Sequence, residues 1–102
     1  MEPFRLIVVE DVVVITGRGF FLMPGLPVNT LPHRIRVGDK IELRRPEGSC
    51  ISTVIAGIEH AKLLRVGSTW PLRLPESIRE GDVPVGTEVW WISSEKSLEE
   101  IP

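Results

Sequence analysis

Glu10-Asp11-Val12-Val13-Val14-Ile15-Thr16-Gly17-Arg18-Gly19-Phe20-Phe21-Leu22-Met23 is the stretch that decides the fold. Residues 12–16 are almost wholly β-branched, and such side chains favour a pleated, extended backbone. Gly17-Arg18-Gly19 then offers two glycines, which reach positive φ without strain, so it reads as a tight turn. Residues 20–23 form the next apolar run, stopped by Pro24-Gly25. The whole is a hairpin entering a sheet.

Strand signals continue on both sides of the hairpin. Residues 4–9 are a further β-rich run, separated from the hairpin by Glu10 and Asp11. Residues 25–32 hold Pro27, Asn29 and Pro32 and read as a loop. Residues 40–45 alternate cleanly: Ile41 and Leu43 point one way, Lys40, Glu42 and Arg44 the other, as in a half-buried strand. Residues 50–60 carry apolar side chains on both faces. They fit a strand buried on both sides, or one crossing from a barrel wall to a corner. Residues 70–74 alternate again, with Pro71 suited to an edge or a strand start. Residues 76–80 suggest a short helical turn, 81–86 a loop and 87–93 the last strand. No amphipathic helix, internal repeat or low-complexity tract appears. Turn signals recur roughly every 8–12 residues, which predicts an all-β barrel or sandwich.

The chain has 102 residues, enough for one domain. We expect that domain over residues 1–94 and an acidic C-terminal tail over 95–102. Hydrophobic residues make up 42% and charged residues 25%, a composition that argues against disorder. Cys50 is alone, so no internal disulfide forms. With His33 and His60 it gives too few soft ligands for a structural zinc site, so no metal is expected. A Cys–His nucleophile would need an orienting group and an oxyanion pocket that nothing in the spacing suggests. Cys50 therefore reads as a small buried apolar residue. Glu76, Glu80 and Asp82 read as solvated loop charges rather than an acid–base pair. No GxxxxGK[ST] run is present, and Gly17-Arg18-Gly19 lacks the third glycine of GxGxxG, so no nucleotide and no cofactor is expected. The N-terminus shows no secretory signal, and the longest apolar runs are far short of the roughly 20 residues of a spanning helix. A cytoplasmic protein without membrane contact is the expectation.

The formal net charge of −2 conceals an asymmetry. Residues 1–75 hold 10 basic and 7 acidic side chains, and residues 76–102 hold 2 and 7. Arg34, Arg36, Lys40, Arg44 and Arg45 cluster within residues 33–45. They read either as a patch that tracks a phosphate backbone or as a solvated strand face with Asp39 and Glu42 as local partners. Arg18 at the hairpin tip is either a contact residue or a solubilising turn residue. Trp90 and Trp91 are adjacent, so they face opposite sides of a strand. Trp91 shares a face with Val89, while Trp90 lies with Glu88 and is expected to point outward. Whichever is exposed would be a stacking platform or an anchor for a protein partner.

Several blocks resemble a known family. Pro3-Phe4, Val9-Glu10-Asp11-Val12 and Ile15-Thr16-Gly17-Arg18-Gly19 look like the opening of domain 2 of the elongation-factor-Tu class of translational GTPases. Ile35-Arg36-Val37-Gly38-Asp39-Lys40-Ile41-Glu42-Leu43, Ala56-Gly57-Ile58-Glu59 and Ile78-Arg79-Glu80-Gly81 resemble later blocks of that domain, in the same order. The stretch from Met23 to Pro32 departs from it, being longer and rich in proline. The resemblance implies a small closed or nearly closed antiparallel Greek-key β-barrel spanning roughly residues 3–92, here as a standalone copy without its GTPase domain. It implies a non-catalytic module that binds RNA or a ribonucleoprotein, with tRNA or ribosomal RNA as partner. The contacts would come from Arg34, Arg36, Lys40, Arg44 and Arg45, with Arg18 at the hairpin tip. The alternative is a protein-interaction module or small subunit using Trp90, Trp91 and the 24–32 loop.

Overall fold

The computed structural model describes residues 2–27, 34–59 and 69–94. They form eight strands: β1 Phe4–Val8, β2 Asp11–Ile15, β3 Gly19–Pro27, β4 Lys40–Arg44, β5 Cys50–Val54, β6 Gly57–Ile58, β7 Thr69–Arg73 and β8 Glu88–Ser93. Their order is β1-β8-β4-β5 in one sheet and β2-β3-β7-β6 in the other, with every pairing antiparallel. The all-β expectation is met. Among the described strands the ladders form two open sheets and do not close into a ring.

The chain passes between the sheets at two hydrogen-bonded corners. Val9 N donates to Thr87 O at 2.8 Å, prolonging the β1–β8 ladder, and the next amide, Glu10 N, donates to Met23 O of β3 at 2.7 Å. Ile55 N donates to Asp39 O at 3.0 Å in the first sheet, and Ala56 N donates to Arg73 O at 3.0 Å in the second. Val9 and Ile55 are buried at these corners. Residues 50–60 are therefore not one strand buried on both faces. They split into β5, a corner and β6, the second of the two sequence readings. Cys50 at the start of β5 is exposed, not buried.

The core lies between the sheets. Leu22 and Leu26 of β3, Leu72 of β7, Ile41 and Leu43 of β4, and Val89 and Trp91 of β8 are almost fully buried there. Complete burial of one such aliphatic side chain contributes about 1.5–3 kcal/mol. The ring of Trp91 stacks on Phe4 at 5.3 Å between centroids. Its indole Nε1 donates to the Asp39 carboxylate at 3.1 Å. Asp39 is itself buried, and its Oδ2 also accepts from Arg36 N at 3.0 Å. Gly38, at φ +96°, makes this turn possible.

Pro24-Gly25 does not stop β3, which continues to Pro27. Leu22 pairs with Leu72 and Leu26 with Trp70, so Met23, Pro24 and Gly25 face Pro71 alone. This is a bulge, and it lets the strand bend without ending. The Met23–Pro24 peptide bond is cis. A Cβ on Gly25 would run into the Trp70–Pro71 backbone, so only glycine fits. Pro71 therefore sits in an inner strand, not at an edge. Its carbonyl still accepts from Glu59 N at 2.9 Å, just past the end of β6, so the rung there is made from one side only. The helical turn expected at 76–80 lies later, as a 3-10 turn at Glu80–Asp82.

Two substitutions test these joints. Trp91→Phe removes a donor from a buried carboxylate and should lower the unfolding free energy by about 1–3 kcal/mol. Gly25→Ala should cost a similar amount or more, about 1–3 kcal/mol, by forcing β3 away from β7. Urea denaturation checks both, with a lower midpoint at unchanged slope.

Candidate functional site

The outer face of the first sheet carries three of the residues singled out above, Lys40, Arg44 and Trp90. Alternation turns Ile41 and Leu43 inward, so Lys40, Glu42 and Arg44 point away from the core. The same rule buries Val89 and Trp91 and turns Glu88 and Trp90 outward. Trp90 stands opposite Arg5 of β1 on one side and Glu42 of β4 on the other. The Arg44 guanidinium lies over the Trp90 ring, 4.0 Å from its centroid. Arg44 Nε also donates to Glu42 Oε1 at 2.6 Å. Glu88 accepts from Trp90 Nε1 at 2.9 Å and pairs with Arg5 Nη1 at 3.5 Å. The result is a half-buried indole held flat by an arginine and framed by Arg5, Glu42 and Glu88.

The other cations are placed differently. Arg34 and Arg36 are exposed in the segment leading to the Asp39 turn. Neither their side chains nor Lys40 join an ion pair among the described residues. Arg45 is consumed locally: its Nε lies 2.7 Å from Ser49 Oγ and 3.2 Å from Glu47 Oε2, and Nη1 lies 4.0 Å from Asp82 Oδ1. The Ser49 hydroxyl, a backbone hydrogen bond and the charge of Arg45 hold the Glu47 carboxyl below its ordinary pKa. The turn around Arg45 is therefore charge-compensated. Arg18 belongs to the second sheet and forms an ion pair with Glu59. The structure thus does not bring Arg18 together with the cations of residues 34–45.

Arg18 lies instead in an open groove of about 930 Å³ between the β2–β3 turn and the segment after β7. Arg73, Arg79, Phe20, Glu76 and Glu80 also line it. Arg73 Nη2 donates to Ala56 O at 3.2 Å, across Gly57, where a Cβ would crowd the guanidinium. Sequence reading missed Arg5 and Arg73. Arg5 occupies an alternating strand position that could have marked it, whereas the role of Arg73 follows from the β6–β7 pairing, for which residues 69–74 hold no signal.

Trp91 is buried and bonded to Asp39, which removes it as a protein-contact residue. Of the 24–32 loop, residues 24–27 are strand and the remainder lies outside the described residues, as do His33, His60 and the 95–102 tail. No cluster of His, Cys, Asp and Glu able to hold a metal occurs among the described residues. No helix among them is long and apolar enough to cross a membrane. No protein-family model, no curated protein and no solved structure matches the chain.

The Arg44–Trp90 contact has a direct readout. Arg44→Ala should shift the tryptophan emission by uncovering the Trp90 ring. It should lower stability by only about 0.5–1 kcal/mol, because the Arg44 side chain stays 41% exposed.

Proposed function

We propose that the chain is a non-catalytic RNA-binding module, built as an antiparallel β-barrel of the elongation-factor domain 2 kind. The supporting observation is the outward Trp90, capped by Arg44 on a sheet face that also carries Arg5 and Lys40. An aromatic ring on an open sheet, flanked by cations, is a surface on which unpaired bases stack while lysine and arginine follow the phosphates. Arg34 and Arg36 extend the positive charge ahead of the start of β4, and they carry no competing ion pair among the described residues. The two corners at Val9–Glu10 and Ile55–Ala56 favour the barrel reading, since hydrogen bonding runs from one sheet into the other at both. Order of the sequence blocks favours the family.

The net charge of −2 predicts weak long-range steering, so binding should depend on local contacts and on salt. In a titration with single-stranded RNA at two salt concentrations, binding should quench Trp90 and weaken as salt rises. Replacing Arg36 and Lys40 together by alanine should weaken binding uniformly across RNA sequences and reduce the salt slope by about 1–2. Trp90→Ala should weaken binding without changing that slope. No binding at low salt, or no effect of either change, removes this function.

A further inference from the structure

Each sheet ends in two edge strands, and three of these four edges are blunted. β1 carries the exposed Arg5 and a bulge between Arg5 and Ile7. On β2, the Asp11 carboxylate accepts the backbone N–H of Val12 at 2.8 Å. β6 is only two residues long. β5 has none of these devices. Its sequence Cys50-Ile51-Ser52-Thr53-Val54 holds no charge, no proline and no glycine, and it runs straight along β4 without a register shift.

Hydrogen-bond parity shows what this edge offers. Arg45 N donates to Ser49 O at 2.8 Å and Ile55 N to Asp39 O at 3.0 Å, so residues 49 and 55 bond toward β4. In an antiparallel ladder every second residue does so, which gives Ile51 and Thr53 to β4 as well. Cys50, Ser52 and Val54 aim their N–H and C=O away from the sheet, and no partner meets them among the described residues.

We infer that β5 is the seam of a two-fold symmetric dimer, in which two copies pair antiparallel about Ser52. A second copy is the fitting occupant because the edge is its own complement. Reversed about Ser52, the strand places Ser52 opposite Ser52 and Cys50 opposite Val54 of the second copy. Each of these pairs exchanges two backbone hydrogen bonds, and no like charges on β5 meet. The outward side chains at the seam are small, so the two sheets join into one of eight strands. A two-fold interface of this sort is closed and stops at the dimer.

The test is the solution mass of the full chain against concentration. The dimer reading expects the mass to rise from 11.4 kDa toward twice that value. Cys50→Lys combined with Val54→Lys places charges along the seam and should raise the dimer dissociation constant at least tenfold, with unchanged circular dichroism. In a Cys50→Ser background, Ser52→Cys should give a disulfide-linked dimer on mild oxidation, because the two positions face each other across the two-fold axis. Thr53→Cys in the same background points to the opposite face and should stay largely uncrosslinked. A single-chain mass at every concentration, a dimer indifferent to the lysines, or equal crosslinking at 52 and 53 would overturn the inference. None of these readouts depends on RNA.

Discussion

The hydrogen bond from the Trp91 indole to the buried Asp39 carboxylate is the joint on which the first sheet depends. Asp39 closes the turn before β4 by accepting from Arg36 N, and its own carbonyl accepts from Ile55 N at the corner into the second sheet. Trp91 lies in β8, between β1 and β4, and stacks on Phe4 of β1. One buried contact therefore ties β1, β4, β8 and the end of β5 together. A buried carboxylate is costly unless its lone pairs are met, so the turn and the indole must form together. The outward face inherits this constraint. With Trp91 fixed inward, strand alternation leaves Trp90 only the outer face, where Arg44 covers it.

The second sheet is organised by a different necessity. Gly25 allows β3 to press against the Trp70–Pro71 backbone, and the bulge beside it carries β3 past Pro24. Without that continuation Leu26 would not reach the core, and the β2–β3 turn would lose the long strand that supports it. Arg18 and Arg73 line the groove at the end of this support. Arg18 pairs with Glu59, Arg73 donates to Ala56 O, and Glu76 and Glu80 line the same groove. Beside the first sheet, Arg34, Arg36 and Lys40 join no ion pair among the described residues.

Legibility in the sequence followed the range of the interactions. The alternation at 40–44 and the opposed placement of Trp90 and Trp91 were readable, because a period of two is a local property. Turn positions at Gly17 and Gly19 were readable too, and both adopt positive φ. The corner at Ile55 was not decided, since a buried residue at a sheet crossing has the same character as one in a continuing strand. Pro24-Gly25 read as a stop because the facing Pro71, which makes the bulge, lies far along the chain. The local Arg44–Glu42 pair was readable, but charge compensation between distant residues was invisible for the same reason. Arg18 meets Glu59 and Arg45 meets Asp82 only after folding. Asp39 read as a local partner of the neighbouring cations, but it is buried and bonded to Trp91, which nothing local announced.

The open β5 edge and the tryptophan face are geometrically linked. Trp90 pairs with Glu42, and Glu42 pairs with Ser52, so Trp90 shares a row with the centre of the seam. Pairing about Ser52 would extend that row into the second copy and keep both outer faces on one side, because the two-fold axis stands perpendicular to the joined sheet. Five strand spacings would then separate the two Trp90 rings, roughly 24 Å. A single strand of RNA laid across the row would meet both arginine-capped rings. The second contact would then be intramolecular, and two weak sites would act with an avidity that neither has alone. An edge left unprotected in the sheet that bears the outward tryptophan is what such an arrangement needs, and a net charge of −2 makes the gain matter, since long-range attraction contributes little.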